Sequence, residues 1–129
     1  MSEYFEYTYL QTGIHRFKWL SRSENSAKAY YDFIVKLYGN LPDKSATVRI
    51  LHDYQLLSFI PLANVFPSIK SLQSMYPNLE RKIAYLSNDP MTETLLKSIT
   101  DTVNRTGRRK FFKSNEEHLA IKWLLDNQP

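Results

Sequence analysis

Residues 108–127 read RRKFFKSNEEHLAIKWLLDN and spell out one β-α unit almost completely. Arg109 to Lys113 has the pattern of a short strand. Ser114-Asn115-Glu116-Glu117 follows as a Ser-x-x-Glu capping box. In such a box the serine hydroxyl accepts a bond from the Glu117 amide, and the Glu117 carboxylate accepts one from the Ser114 amide. Leu119, Ala120, Trp123 and Leu124 then share one stripe of an amphipathic helix. A strand feeding directly into a capped helix is the building unit of α/β proteins, so this ending narrows the fold class sharply.

The rest of the chain repeats that alternation. Tyr4 to Leu10 is rich in Tyr, Phe and Thr, a strand composition, and Gln11-Thr12-Gly13 is a turn with a glycine free to take positive φ. Ile14 to Leu20 reads as a second strand, paired with the first as a hairpin. Its Phe17 and Trp19 share one face and Arg16 and Lys18 the other, which suits a half-exposed strand near a sheet edge. A second box, Ser21-Arg22-Ser23-Glu24, opens a helix over roughly 23–38, with Ala27, Tyr30, Tyr31, Ile34, Leu37 and Tyr38 at helical spacing. Gly39 is placed to end it in a left-handed conformation, and Pro42 blocks its resumption.

Ala46 to Asp53 is a third strand, apolar enough for burial along most of its length. Pro61 to Tyr76 reads as a second helix, kinked or started late by Pro67 and closed by Pro77. Arg81 to Ser87 is the fourth strand. Asn88-Asp89-Pro90 then caps a third helix whose Met91, Leu95, Ile99 and Val103 line one face, with Gly107 ending it. The order β-β-α-β-α-β-α-β-α predicts an α/β fold: a mixed, mostly parallel five-stranded sheet with four helices. No linker, repeat or low-complexity tract interrupts it, so residues 1–129 are expected to form a single domain.

Composition limits the function classes. Hydrophobic content of 43% and charged content of 23% suit a packed core. Nine Tyr and seven Phe are many for this length, and several Tyr hydroxyls are expected at the surface, where water satisfies them. The chain has no cysteine, which rules out disulfides, thiolate metal sites and cysteine nucleophiles. No signal peptide or apolar run of membrane-span length is visible, so a cytoplasmic protein is expected. A net charge of +4 is mild for a nucleic-acid binder, and no nucleic-acid-binding motif accompanies it.

In its element order the chain resembles the anti-sigma-factor antagonist fold, the STAS or SpoIIAA-like fold. The closing FFKSNEEHLAIKWLL is similar to the ending of the bacterial SpoIIAA-like group. There a basic-aromatic strand, a capped turn and an Ala-x-x-Trp-Leu helix close the domain, matched here by Ala120-Ile121-Lys122-Trp123-Leu124. The likeness in element order spans nearly the whole chain; at residue level it covers this tail and Ile50 to Asp53. The resemblance implies a regulatory, non-enzymatic module. Phosphoregulated members of this fold are switched by a serine in an Asp-Ser-Ser-Gly-like turn, where a phosphate would meet free amides at a helix N-terminus. Here Pro61-Leu62-Ala63-Asn64 occupies that place, and the nearest hydroxyl, Ser58, lies several residues early. The resemblance therefore implies the scaffold without its phosphoswitch.

The candidate site residues fall in two groups. His52 and Asp53 lie at the carboxyl end of the third strand, the edge where open α/β sheets bind ligands. Adjacent strand residues point to opposite faces, so the two cannot form an acid-base dyad while the strand is regular. The structural alternative has Asp53 bonding loop amides and His52 packing under a helix. Leu57, Ser58 and Phe59 belong to the strongly apolar stretch 54–66, which could line a ligand pocket, pack into the core or serve a homodimer. The second group, Arg105, Arg108, Arg109, Lys110 and Lys113, could bind an anion; its structural alternative is a solvated edge strand.

His15, His52 and His118 lack metal-ligand spacing, and the three glycines form no phosphate loop, so neither a metal nor a cofactor is expected. The expected function is a non-enzymatic regulatory or protein-interaction module that meets a protein partner or a small ligand. The alternative is a small-molecule-binding domain for an apolar or amphipathic ligand, either neutral or anionic. An enzyme built on His52 and Asp53 ranks behind both.

Overall fold

The computed structural model describes residues 4–20, 24–41, 47–54, 75, 79–88, 94 and 107–126. Five strands form one sheet: β1 (Phe5–Tyr9), β2 (Ile14–Trp19), β3 (Thr47–Asp53), β4 (Glu80–Leu86) and β5 (Gly107–Phe112). Helix α1 (Glu24–Gly39) lies between β2 and β3, and α2 (Glu117–Leu125) follows β5 through a 3-10 turn at Ser114–Glu116. The described residues thus contain two helices; those expected over 61–76 and from Pro90 fall outside them, apart from the isolated helical residues Met75 and Thr94.

The strands lie side by side in chain order, β1-β2-β3-β4-β5, with β1 antiparallel to β2 and every later pair parallel. The hairpin closes with Leu10 N–H donating to the Ile14 carbonyl and Gly13 N–H to the Leu10 carbonyl, both at 2.9 Å. Gly13 takes φ of 90°, where a Cβ would be strained. The sheet is therefore mixed and mostly parallel, as its alternating pattern implies.

Alternation along each strand gives the sheet two different faces. On one, Ile34 and Tyr38 of α1 pack with Phe5, Phe17, Trp19, Val48, Ile50, Ile83 and Tyr85. On the other, Ala120 and Leu124 of α2 pack on Ile14, Leu51, Ala84 and Leu86. A parallel sheet that always steps in one direction keeps its right-handed crossovers on one face, so the opposite face needs a different cover. Helix α2, which crosses between no strands, supplies it.

Several local expectations change. β2 does lie beside the edge strand β1 with its Arg16 and Lys18 face half-buried, as expected, but other elements differ. Gly39 keeps a negative φ and stays helical; Asn40 N–H bonds back to the Lys36 and Leu37 carbonyls instead. The closing cap sits one residue earlier than the Ser-x-x-Glu pattern suggests. The Glu116 carboxylate accepts from the Lys113 amide at 2.8 Å, while the Ser114 amide donates to Asn88 Oδ1 at 3.0 Å. Glu117 is drawn instead to Arg16. Leu119 leaves the buried stripe and is exposed, whereas Ile121 packs beside Trp123. Among the tyrosines, Tyr9 is exposed, but Tyr38, Tyr54 and Tyr85 belong to the core.

Candidate functional site

The carboxyl end of β3 holds His52 and Asp53 back to back. His52 faces α1 and is buried at the centre of a lateral row. Tyr7, Phe17, His52, Tyr85 and Phe111 stand opposite one another across all five strands. The His52 ring stacks on Tyr85 at 5.4 Å and on Tyr54 at 5.7 Å. Trp19 Nε1 donates to His52 Nδ1 at 3.1 Å. An indole N–H can only donate, so Nδ1 is bare and the ring proton sits on Nε2. From there it points at the Tyr30 hydroxyl, 3.4 Å away.

Both ring nitrogens are thus engaged inside an aromatic shell. Burial, assisted by the positive charge of Arg109, lowers the His52 pKa from 6.5 to about 3. The imidazole is neutral at physiological pH and has a poor proton affinity for general-base work. The same burial raises the Tyr30 and Tyr54 hydroxyls well above their ordinary range, so they stay protonated.

Asp53 faces α2. Its carboxylate accepts from Arg16 Nη2 at 2.7 Å, with the Asp53 side chain fully shielded. The same guanidinium reaches Glu117 through Nε at 3.1 Å and Nη2 at 2.9 Å. Hydrogen bonding to Glu117, more than the attraction of Asp53, raises the Arg16 pKa against its desolvation. Arg16 therefore clasps the N-terminal turn of α2 to the carboxyl end of β3. Asp53 serves that clasp, and the sheet separates it from His52.

The basic run is also divided. Arg108 and Lys110 share the α2 face, Arg109 projects to the α1 face, and Lys113 is exposed beyond the strand. Strand alternation makes this division readable from the residues alone. A different cationic row appears that only tertiary pairing creates: Arg49, Lys82 and Arg108 stand in register on β3, β4 and β5. Like charges so placed repel. Two of the three are held by the C-terminal end of α2, where Arg49 Nε donates to the Leu124 carbonyl at 2.7 Å and Lys82 Nζ donates to the Asp126 carbonyl. Lys82 also lies over the Trp123 ring, 4.7 Å from its centroid. Desolvation first, and then Arg108 and Arg49, lower the Lys82 pKa, with Asp126 opposing them. Sequence reasoning missed this row because each member sits in a different segment.

Arg105, Leu57, Ser58 and Phe59 lie outside the described residues. Among the described residues no three His, Asp or Glu converge as a metal set, and no helix is long and apolar enough to cross a membrane. Comparison with known proteins gives no match: no family model, no curated protein and no solved structure is significantly similar to the chain.

Proposed function

We propose that this chain is a non-enzymatic regulatory or protein-interaction module on a SpoIIAA-like scaffold of four helices, acting in the cytoplasm. The observation that carries this reading is the fate of the two residues best placed for chemistry. His52 and Asp53 are both fully engaged, on opposite faces, in contacts that hold the fold together. The strand order supports it further. Open α/β sheets take small ligands in the crevice where the order reverses, and the order here never reverses. The resemblance of the closing β-α unit to antagonist domains supplies the scaffold. Pro61 to Asn64, standing where a switch serine would be, argues for partner binding without that phosphorylation.

Native mass spectrometry of the protein purified from its own host tests the proposal. A complex with another protein in fixed stoichiometry is expected. Isolation as a chain free of any protein partner, or turnover of a substrate that His52→Gln abolishes, would overturn it.

A further inference from the structure

The sheet ends in two edge strands, β1 and β5, and they are guarded unequally. β5 carries Arg108, Arg109 and Lys110 in succession. Cations on an edge strand discourage pairing with another chain, because like charges meet across the new ladder. β1 has none of these devices. Phe5-Glu6-Tyr7-Thr8-Tyr9 contains no lysine, arginine or proline, and it pairs with β2 residue for residue, without a bulge. The ladder also fixes which backbone groups of β1 remain. Leu20 N–H donates to the Tyr4 carbonyl and Leu10 N–H to the Ile14 carbonyl, both at 2.9 Å. Hydrogen-bonded pairs alternate in an antiparallel ladder, so Glu6 and Thr8 also bond to β2. Phe5, Tyr7 and Tyr9 turn their N–H and C=O groups away from it, toward an edge that no strand among the described residues occupies. Toward the hairpin end of that edge Thr8 and Tyr9 are exposed, Tyr9 by 60%.

We propose that β1 is the interface of a two-fold homodimer, in which the β1 strands of two copies pair antiparallel about Tyr7 and continue the sheet from one subunit into the other. A two-fold interface needs one patch that is complementary to itself, and this strand supplies it. Tyr7 stands opposite the partner's Tyr7, and Phe5 opposite the partner's Tyr9. All of these residues face outward, so each pair exchanges both of its N–H···O bonds. Moving the axis to Glu6 or Thr8 leaves one of the three outward residues of each strand without a match among the others. The side chains agree with the backbone. On the α1 face every cross-strand pair is aromatic, and the exposed Tyr9 of one copy comes to lie beside Phe5 of the partner subunit. On the α2 face Glu6 meets the partner's Thr8, which keeps the two glutamates from standing opposite each other; pairs matched in this way stabilise a sheet. The interface goes beyond the module reading and does not depend on it.

Sedimentation equilibrium of the full chain across the micromolar range tests the proposal, and a monomer–dimer equilibrium is expected. Tyr9→Pro removes an outward N–H that β2 does not use, at a position where an edge strand tolerates proline. It should leave the chain monomeric with its far-UV circular dichroism unchanged. Thr8→Glu sets like charges against Glu6 of the partner subunit at both symmetric contacts and should weaken dimerisation by roughly tenfold. Thr8→Lys, which offers Glu6 an opposite charge, should not weaken it. The chain has no cysteine, so an introduced one reports the register. Oxidising a mixture of Glu6→Cys and Thr8→Cys chains should link the two, while neither variant links to itself. Such a non-hydrogen-bonded pair sets the Cα atoms about 4.5 Å apart, within disulfide reach. A chain monomeric throughout the range overturns the proposal. So does a dimer that Thr8→Glu and Thr8→Lys affect equally, or one in which Thr8→Cys links to itself instead of to Glu6→Cys. If Tyr9→Pro loses its strand signal, the two charged Thr8 variants decide. None of these outcomes touches the module reading, which is decided by a different protein that co-purifies.

Discussion

The two faces of the sheet are held in different ways. Under α1 the contact is aromatic and dry: Phe5, Phe17, Trp19, Tyr30, Phe33 and His52 meet edge-on or tilted, with centroids 5.1–6.2 Å apart in pairs such as Phe17–Tyr30 and Phe5–Tyr30. Under α2 the apolar seam is short, and charge anchors both ends of the helix. Arg16 holds Glu117 in the first turn, and Arg49 and Lys82 take the last carbonyls. This matches the helix dipole, with an acid at the N-terminus and cations at the C-terminus. The difference follows from connectivity. Helix α1 is tethered to strands on both sides, so apolar burial suffices to seat it. Helix α2 joins no two strands, and nine residues with two buried side chains need further fixing.

If this contrast is right, damage on the α1 face is the larger. Phe17→Ala should cost about 3–5 kcal/mol in urea unfolding, the range for emptying a packed aromatic site. A loss below about 1 kcal/mol would mean that the aromatic layer is loosely packed. On the other face, Asp53→Ala leaves Arg16 with only the outer carboxylate. It should cost about 1.5–3 kcal/mol, the range for a hydrogen bond to a charged group, with far-UV circular dichroism unchanged.

Acid should separate the faces too. His52 is neutral when folded, with its pKa lowered from 6.5 to about 3, so below pH 6.5 the unfolded chain binds the extra proton. Stability is therefore complete above that value and falls as pH drops toward about 3, by about 1.4 kcal/mol per unit. Urea unfolding at about pH 8 and about pH 5 should differ by about 2 kcal/mol from this group, and His52→Gln should remove that part of the difference. The smallest effect is at the rim of the clasp. The Glu117 side chain is 37% exposed, so Glu117→Ala should cost only about 0.5–1 kcal/mol and shrink further in salt. A larger cost for Glu117→Ala than for Asp53→Ala would place the strength of the clasp at the surface, contrary to its burial.

The residues reveal these two faces unequally. Period-two alternation announces β3, and with it the separation of His52 from Asp53, because facing is a local property of a strand. The aromatic spacing of α1 is equally local. What holds His52, however, comes from Trp19 and Tyr30, which only the fold brings near. Lys82 looks like the polar start of a strand, yet it is 1% exposed, because Trp123 lies over it. The Ser114–Glu117 box fails for the same reason: Arg16, far away in sequence, competes for Glu117 and wins. Local chemistry names the elements; charges that choose among distant partners are decided by packing.

The uninterrupted strand order also has a consequence for assembly. Each strand pairs with the one made just before it, so no later strand has to be inserted between two that are already joined. A chain emerging from its N-terminus can close the β1–β2 hairpin and then add β3, β4 and β5 to a growing edge, keeping strand pairings close in sequence. The contacts of α2 are the exception, and the Arg16 clasp spans the greatest sequence distance among them. It joins β2 to a helix that follows every strand in the sequence, so it forms only once the whole sheet-forming chain has been made.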